Sequence, residues 1–143
     1  MRPVALVRHG SAGNRAAHVG DDSLRPLDER GQREAKAIAE LLSGRMPLQI
    51  RTSPSLRCVQ TISPLSDRTG VAAEQLDELA EGADPDPAAL VEDDGPLLVL
   101  CTHGDVIGRL IGFDRPARKG SVWLCEWDGD RLEPVTYIRK PGA

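Results

Sequence analysis

The stretch "PLLVLCTHGDVIG", residues 96–108, decides how this chain folds. Leu97 to Cys101 form an unbroken apolar run, not an alternating one, which is the pattern of a strand buried on both faces. Thr102-His103-Gly104 ends the run, and "GDVIGRLIGF" resumes at helical spacing just after His103. A doubly buried strand running straight into a helix is one βα step of a parallel sheet.

Working outward, the same step recurs. Residues 3–8 read as a short apolar strand, followed by a Gly/Asp/Arg-rich loop over 10–30, long enough to suggest function. "DERGQREAKAIAELLSGR" places Ala35, Ile38, Ala39, Leu41 and Leu42 on one helical face, with Gly44 as the stop. "PLQIRTS" is a second strand. "SPSLRCVQTISPLSDRTG" reads as a helix capped by Ser53, with Pro54 in its first position and an end or kink at Pro64. "VAAEQL" is a short third strand, and "DPDPAALVEDDG" holds one or two helical turns. "SVWLCEWDGDRLEPVTYI" is a hairpin turning near Asp128-Gly129, with Trp123 and Trp127 on one face as packing residues. The expectation is an α/β fold in three layers: a mostly parallel central sheet flanked by helices, with a C-terminal antiparallel hairpin. Residues 1–143 read as one domain.

Composition narrows the function. With 40% apolar and 28% charged residues the chain has the profile of a globular protein, and a net charge of -4 argues against nucleic acid or acidic membranes as partners. No stretch has the length of a membrane span or the pattern of a signal peptide, which predicts a cytoplasmic location. Cys58, Cys101 and Cys125 are odd in number and lack CxxC spacing, so they read as small buried side chains.

In parallel sheets ligands bind beyond the carboxyl ends of the strands. That edge collects Arg8 and His9 from "LVRHGSAGNR" (residues 6–15), Ser53, Arg57 one turn into the next helix, Glu78, and His103. Two arginines and two histidines around one mouth call for an anion, and guanidinium forks match phosphate. Neighbouring positive charge disfavours imidazolium, which leaves His9 neutral, with a lone pair to attack phosphorus. His18, Arg15, Arg25 and Arg30 lie in or beside the long polar loop and read as solvated, with the arginines within reach of a large substrate's rim.

"LVRHG", "SPSLRCVQT" and "CTHGDVI", in this order and each at a strand end, resemble the histidine phosphatase superfamily, the phosphoglycerate mutase-like fold. The resemblance spans roughly residues 4–112; "LRPLDERGQREA" is most similar to the small bacterial phosphohistidine phosphatases of the SixA type. "SLRCVQT" is also similar to the phosphatase half of some actinobacterial two-domain Nudix proteins.

The resemblance implies a phosphatase that works through a covalent phosphohistidine, with no metal or other cofactor. His9 is then the nucleophile; Arg8, Arg57 and His103 hold the phosphoryl oxygens, and Asn14 adds a phosphate hydrogen bond. The acid/base is Glu78 in "LDELAEG", with Glu81 as rival. The expected substrate is a phosphorylated protein bearing phosphohistidine; a small phosphate ester (nucleotide or sugar phosphate) is the alternative. Two further readings are a non-catalytic phosphate-binding module and, more remotely, a metal hydrolase built on His9, His103 and Asp105.

Overall fold

The computed structural model describes residues 1–142. Six strands form one sheet in the order β3-β2-β4-β1-β5-β6. They are β1 (Arg2–Arg8), β2 (Leu48–Thr52), β3 (Ala73–Gln75), β4 (Leu97–Thr102), β5 (Val122–Trp127) and β6 (Leu132–Ile138). β3, β2, β4 and β1 run parallel, whereas β5 lies antiparallel on β1 and β6 antiparallel on β5. Four helices accompany them: α1 (Glu29–Ser43), α2 (Leu56–Thr69), α3 (Pro87–Leu90) and α4 (Gly104–Ile111). The mostly parallel sheet flanked by helices, with the C-terminal hairpin, agrees with the expected α/β class.

The two-residue period of a strand builds two cores. Val4 and Leu6 of β1 and Leu98 and Leu100 of β4 face α4, Leu90, Trp123 and Trp127. Ala5, Val7, Leu97, Val99 and Cys101 face the opposite way, onto Ile38 and Leu42 of α1 and Ile62 and Leu65 of α2. The same alternation continues past the strand ends and sets the site. Thr102 turns toward the first layer, giving its hydroxyl to the Leu79 carbonyl, while His103 turns toward α2. Both tryptophans pack in the core; Trp123 stacks on Tyr137 and donates its indole N–H to the Pro116 carbonyl. All three cysteines are buried and unpaired.

Three local expectations change. α2 begins at Leu56 after Ser55, not at Pro54, because Ser53 is drawn toward His103 instead of capping the helix. Pro64 neither ends nor interrupts α2, which runs to Thr69 and closes on Gly70 in the left-handed region at φ 75°. Burial of Ile62 and Leu65 on either side of Pro64 offsets the lost backbone bond, an effect of about 3 kcal/mol. The 10–30 loop holds two single 3₁₀ turns, Arg15–Ala17 and Asp22–Leu24, begun by Asn14 and Asp21 side chains that accept from Ala16 and Ser23 amides.

Asp28 fastens the start of α1 to the segment after β1: its carboxylate accepts from Gly31 N, Gly13 N and the Ser11 hydroxyl. Here α1 comes so close that a Cβ on Gly31 would lie 2.0 Å from the Ser11 carbonyl oxygen. A Cβ on Gly10 would in turn lie 3.0 Å from Gly31 Cα, which explains the glycine after His9 by packing. Gly31→Ala is therefore expected to destabilise the fold by about 3 kcal/mol in urea unfolding, despite alanine's better helix propensity. A neutral or stabilising result would show that this contact is not close-packed.

Candidate active site

A cavity of about 450 Å³ opens at the carboxyl ends of β1 and β4. Arg8, His9, Asn14 and His103 line it, as does Glu81. Glu78 does not: it is exposed on the 3₁₀ turn Asp77–Leu79, which turns the chain before the cavity and brings Glu81 to the wall instead. The extended chain of β3 ends at Gln75, short of both carboxylates, so the turn that follows sets which of them faces the cavity.

His9 is 4% exposed, and its Nδ1–H donates to the Gly10 carbonyl at 2.8 Å, leaving Nε2 as the unprotonated nitrogen of the neutral ring. Its pKa is pushed from 6.5 down to about 3, first by burial and then by His103, Arg57 and Arg8, while the Gly10 hydrogen bond opposes the shift. Burial, more than the neighbouring cations, keeps this ring neutral. The Cε1 proton resonance of His9 should accordingly stay flat from pH 8 to about 4. A midpoint near 6.5 would show that the ring is hydrated and ordinary.

His103 approaches edge-on, with ring centroids 5.3 Å apart. Arg57 Nη2 stands 3.5 Å from its Nδ1, and since guanidinium can only donate, Nε2 carries the proton and donates to Ser53 Oγ at 2.9 Å. Cys58 Sγ rests 3.6 Å from the same Nε2. The apolar reading of Cys58 missed this contact, because α2 alone brings the thiol there.

Arg8 donates Nη1 to the Ala117 carbonyl at 2.7 Å, and its buried Nε has no partner. Gly104 leaves it space: a Cβ there would lie 3.0 Å from the guanidinium carbon. Arg57 sits behind the cavity wall, 1% exposed. Its Nη1 donates to the Asp22 carbonyl and its Nη2 reaches Glu81 at 3.1 Å; its Nε too is buried without a partner. Thr61 ties α2 to the strand end, accepting from Gly10 N and donating to the Arg57 carbonyl. Asn14 spends its Oδ1 on Ala16 N, so its amide N–H group is what remains for a ligand.

Four further groups reach the wall: Arg15, Arg25, Asp105 and Lys119. Arg25 is not solvated as expected; it is 6% exposed, held by Asp22 and the Ala12 carbonyl. Arg15 pairs with Glu81 at 2.6 Å. Asp105 accepts from Gly82 N and Arg109, and so is committed to structure. Arg30 remains exposed, and His18 gives its Nε2–H to the Asp21 carbonyl outside this cavity. Among the described residues, no three His, Cys, Asp or Glu side chains are grouped to hold a metal ion. Nor is any helix there long and apolar enough to cross a membrane.

A buried neutral histidine and a second histidine among arginines stand at the carboxyl edge of this sheet, the arrangement expected from the resemblance to the phosphoglycerate mutase-like fold. The sequence profile of the histidine phosphatase superfamily (branch 1) matches residues 4–83, and the chain belongs to that superfamily. It is 35% identical, over 98% of its length, to an 8-oxo-(d)GTP phosphatase of Mycolicibacterium smegmatis, and spans about half (49%) of that relative. Its fold matches the protein histidine phosphatase SixA solved with tungstate at TM-score 0.79, with 22% identity and 97% of each chain covered. A putative phosphohistidine phosphatase SixA from Agrobacterium tumefaciens matches at TM-score 0.74 and 22% identity, covering 96% of this chain and 97% of the other. The curated relative and both solved structures are themselves named as phosphatases.

Proposed function

We propose that the chain hydrolyses protein phosphohistidine through a covalent phosphoryl intermediate on His9, without a metal. His9 Nε2 attacks phosphorus in line, a P–N bond to His9 forms, and the P–N bond to the substrate imidazole breaks. Arg8, with its free Nε, and the Asn14 amide take up the phosphoryl oxygens, and Arg57, held against His103, adds positive charge at the same end of the cavity. Water then attacks the phosphoryl group, freeing phosphate and regenerating neutral His9.

The observation that carries the substrate class is the state of Glu81. Its two oxygens accept from Arg15 and Arg57, so to protonate a leaving group it must give up a charge-assisted bond. Such a site favours a leaving group that needs no strong acid. An imidazole protonated on its other nitrogen departs neutral, whereas an alkoxide does not. The same carboxylate is suited to orienting and deprotonating the attacking water in the second step.

Hydrolysis of a phosphohistidine peptide, a nucleoside triphosphate and an alkyl monoester should be compared in wild type, Glu81→Gln and Glu78→Gln. The phosphohistidine peptide is expected to lead the alkyl ester by about 100-fold in kcat/KM. Glu81→Gln should slow turnover by about 100-fold and accumulate phosphoenzyme, while Glu78→Gln stays within about twofold of wild type. The 8-oxo-(d)GTP phosphatase likeness supports a second reading, a nucleoside polyphosphate, whose anhydride also leaves without strong acid. Faster turnover of the triphosphate would overturn the phosphohistidine assignment and leave the chemistry intact.

A further inference from the structure

Beside the catalytic cavity lies a second, smaller one of about 190 Å³, lined by Arg30, Glu34, Arg118, Lys119, Arg139 and Lys140. Lys119 lines both, so the two are neighbours on either side of that side chain. The cations come from three segments: the first turn of α1, the connection between α4 and β5, and the residues that follow β6. These segments are tied together. Arg118 N donates to the Tyr137 hydroxyl at 3.1 Å, and Gly120 N donates to the Arg8 and His9 carbonyls. The groove therefore has a fixed position relative to His9.

Its charge is not balanced from within. Glu34 is the single carboxylate on its wall, and it already accepts from Ser11 N at 2.8 Å and faces Arg30 at 3.9 Å. Among the described residues, Arg118, Lys119, Arg139 and Lys140 form no salt bridge. This concentration of positive charge stands on a chain whose net charge is -4. Clustered like charges repel, and an incoming anionic surface relieves that repulsion.

We propose that the groove docks the carboxylates of an acidic protein surface flanking the phosphohistidine, and so selects among phosphohistidine proteins. This rests on reading the catalytic cavity as a protein-phosphohistidine site. Every lining side chain is charged and none is aromatic, so the groove lacks the ring faces and apolar wall that a nucleoside pocket ordinarily supplies. Long, exposed Arg and Lys side chains from three segments instead suit several point contacts across a broad acidic surface.

The test uses two synthetic phosphohistidine peptides, one flanked by glutamates and one by serines, with phosphoramidate as a reference too small to reach the groove. Wild type should turn over the acidic peptide roughly tenfold better in kcat/KM, an advantage that shrinks as salt is raised. The Arg139→Ser/Lys140→Ser double variant should lose most of that advantage and keep phosphoramidate turnover within about twofold. Equal use of both peptides by wild type, or an advantage untouched by the double variant, overturns the docking proposal alone. Turnover of neither peptide overturns the phosphohistidine reading and the docking proposal with it. A nucleoside triphosphate whose kcat/KM falls in the double variant would place a phosphate chain in the groove and likewise overturn it.

Discussion

His9→Ala is expected to lower turnover by at least about 10⁴-fold and to abolish the phosphoryl adduct. The measurement is intact mass after rapid mixing with a reactive phosphoryl donor, with and without an acid quench. Wild type should show a transient, acid-labile gain of one phosphoryl group, and the variant none. The size of the effect follows from the lack of a substitute: His103, 5.3 Å away by ring centroid, is engaged by Ser53 on Nε2 and Arg57 on Nδ1. Turnover that survives in His9→Ala would sink the covalent mechanism. Loss of both turnover and adduct in wild type, with phosphate still bound, would instead describe a phosphate-binding module.

The second large effect is expected at Arg57. Its guanidinium, 1% exposed, contacts the Asp22 carbonyl, Glu81 and His103 together. Arg57→Ala removes a large buried side chain and leaves Glu81 with Arg15 alone, so we expect a loss of about 3 kcal/mol in stability and about 10³-fold in kcat/KM. Arg57→Lys separates charge from geometry. One ammonium cannot span the Asp22 carbonyl and Glu81 as the fork does, so lysine should recover much of the stability but less than a tenth of the activity. Full activity in Arg57→Lys would mean that positive charge alone suffices and that the fork does not position Glu81 and His103.

The architecture was largely legible because strand periodicity is local. The apolar run at Leu97–Cys101 announces a strand buried on both faces, and the structure sends alternate residues of that run to opposite layers. His9 and His103 could be placed at one edge by the rule for parallel strands without knowing a single distance. Where the reading failed, a nonlocal contact had overridden a local preference. Ser53 has the chemistry of a cap, yet its hydroxyl goes to His103, and the helix starts later. Pro64 is a helix breaker, yet α2 carries on because its flanking residues are buried. Arg25 belongs to a polar loop, yet Asp22 and the Ala12 carbonyl hold it inside.

The sequence by itself determined the order of strands and helices, the two buried layers, and the edge at which the histidines meet, because each follows from apolar spacing over a few residues. Only the tertiary structure decided that Glu81 and not Glu78 lines the cavity, since a single 3₁₀ turn changes which carboxylate faces inward. It also decided that Lys119 belongs to the site. That lysine, far from both histidine motifs in the chain, arrives because β5 pairs antiparallel with β1, Val7 opposite Val122, which lays the preceding loop against Arg8 and His9. That β5 takes its place beside β1 depends on partners distant in sequence, and no local pattern in the sequence encodes it.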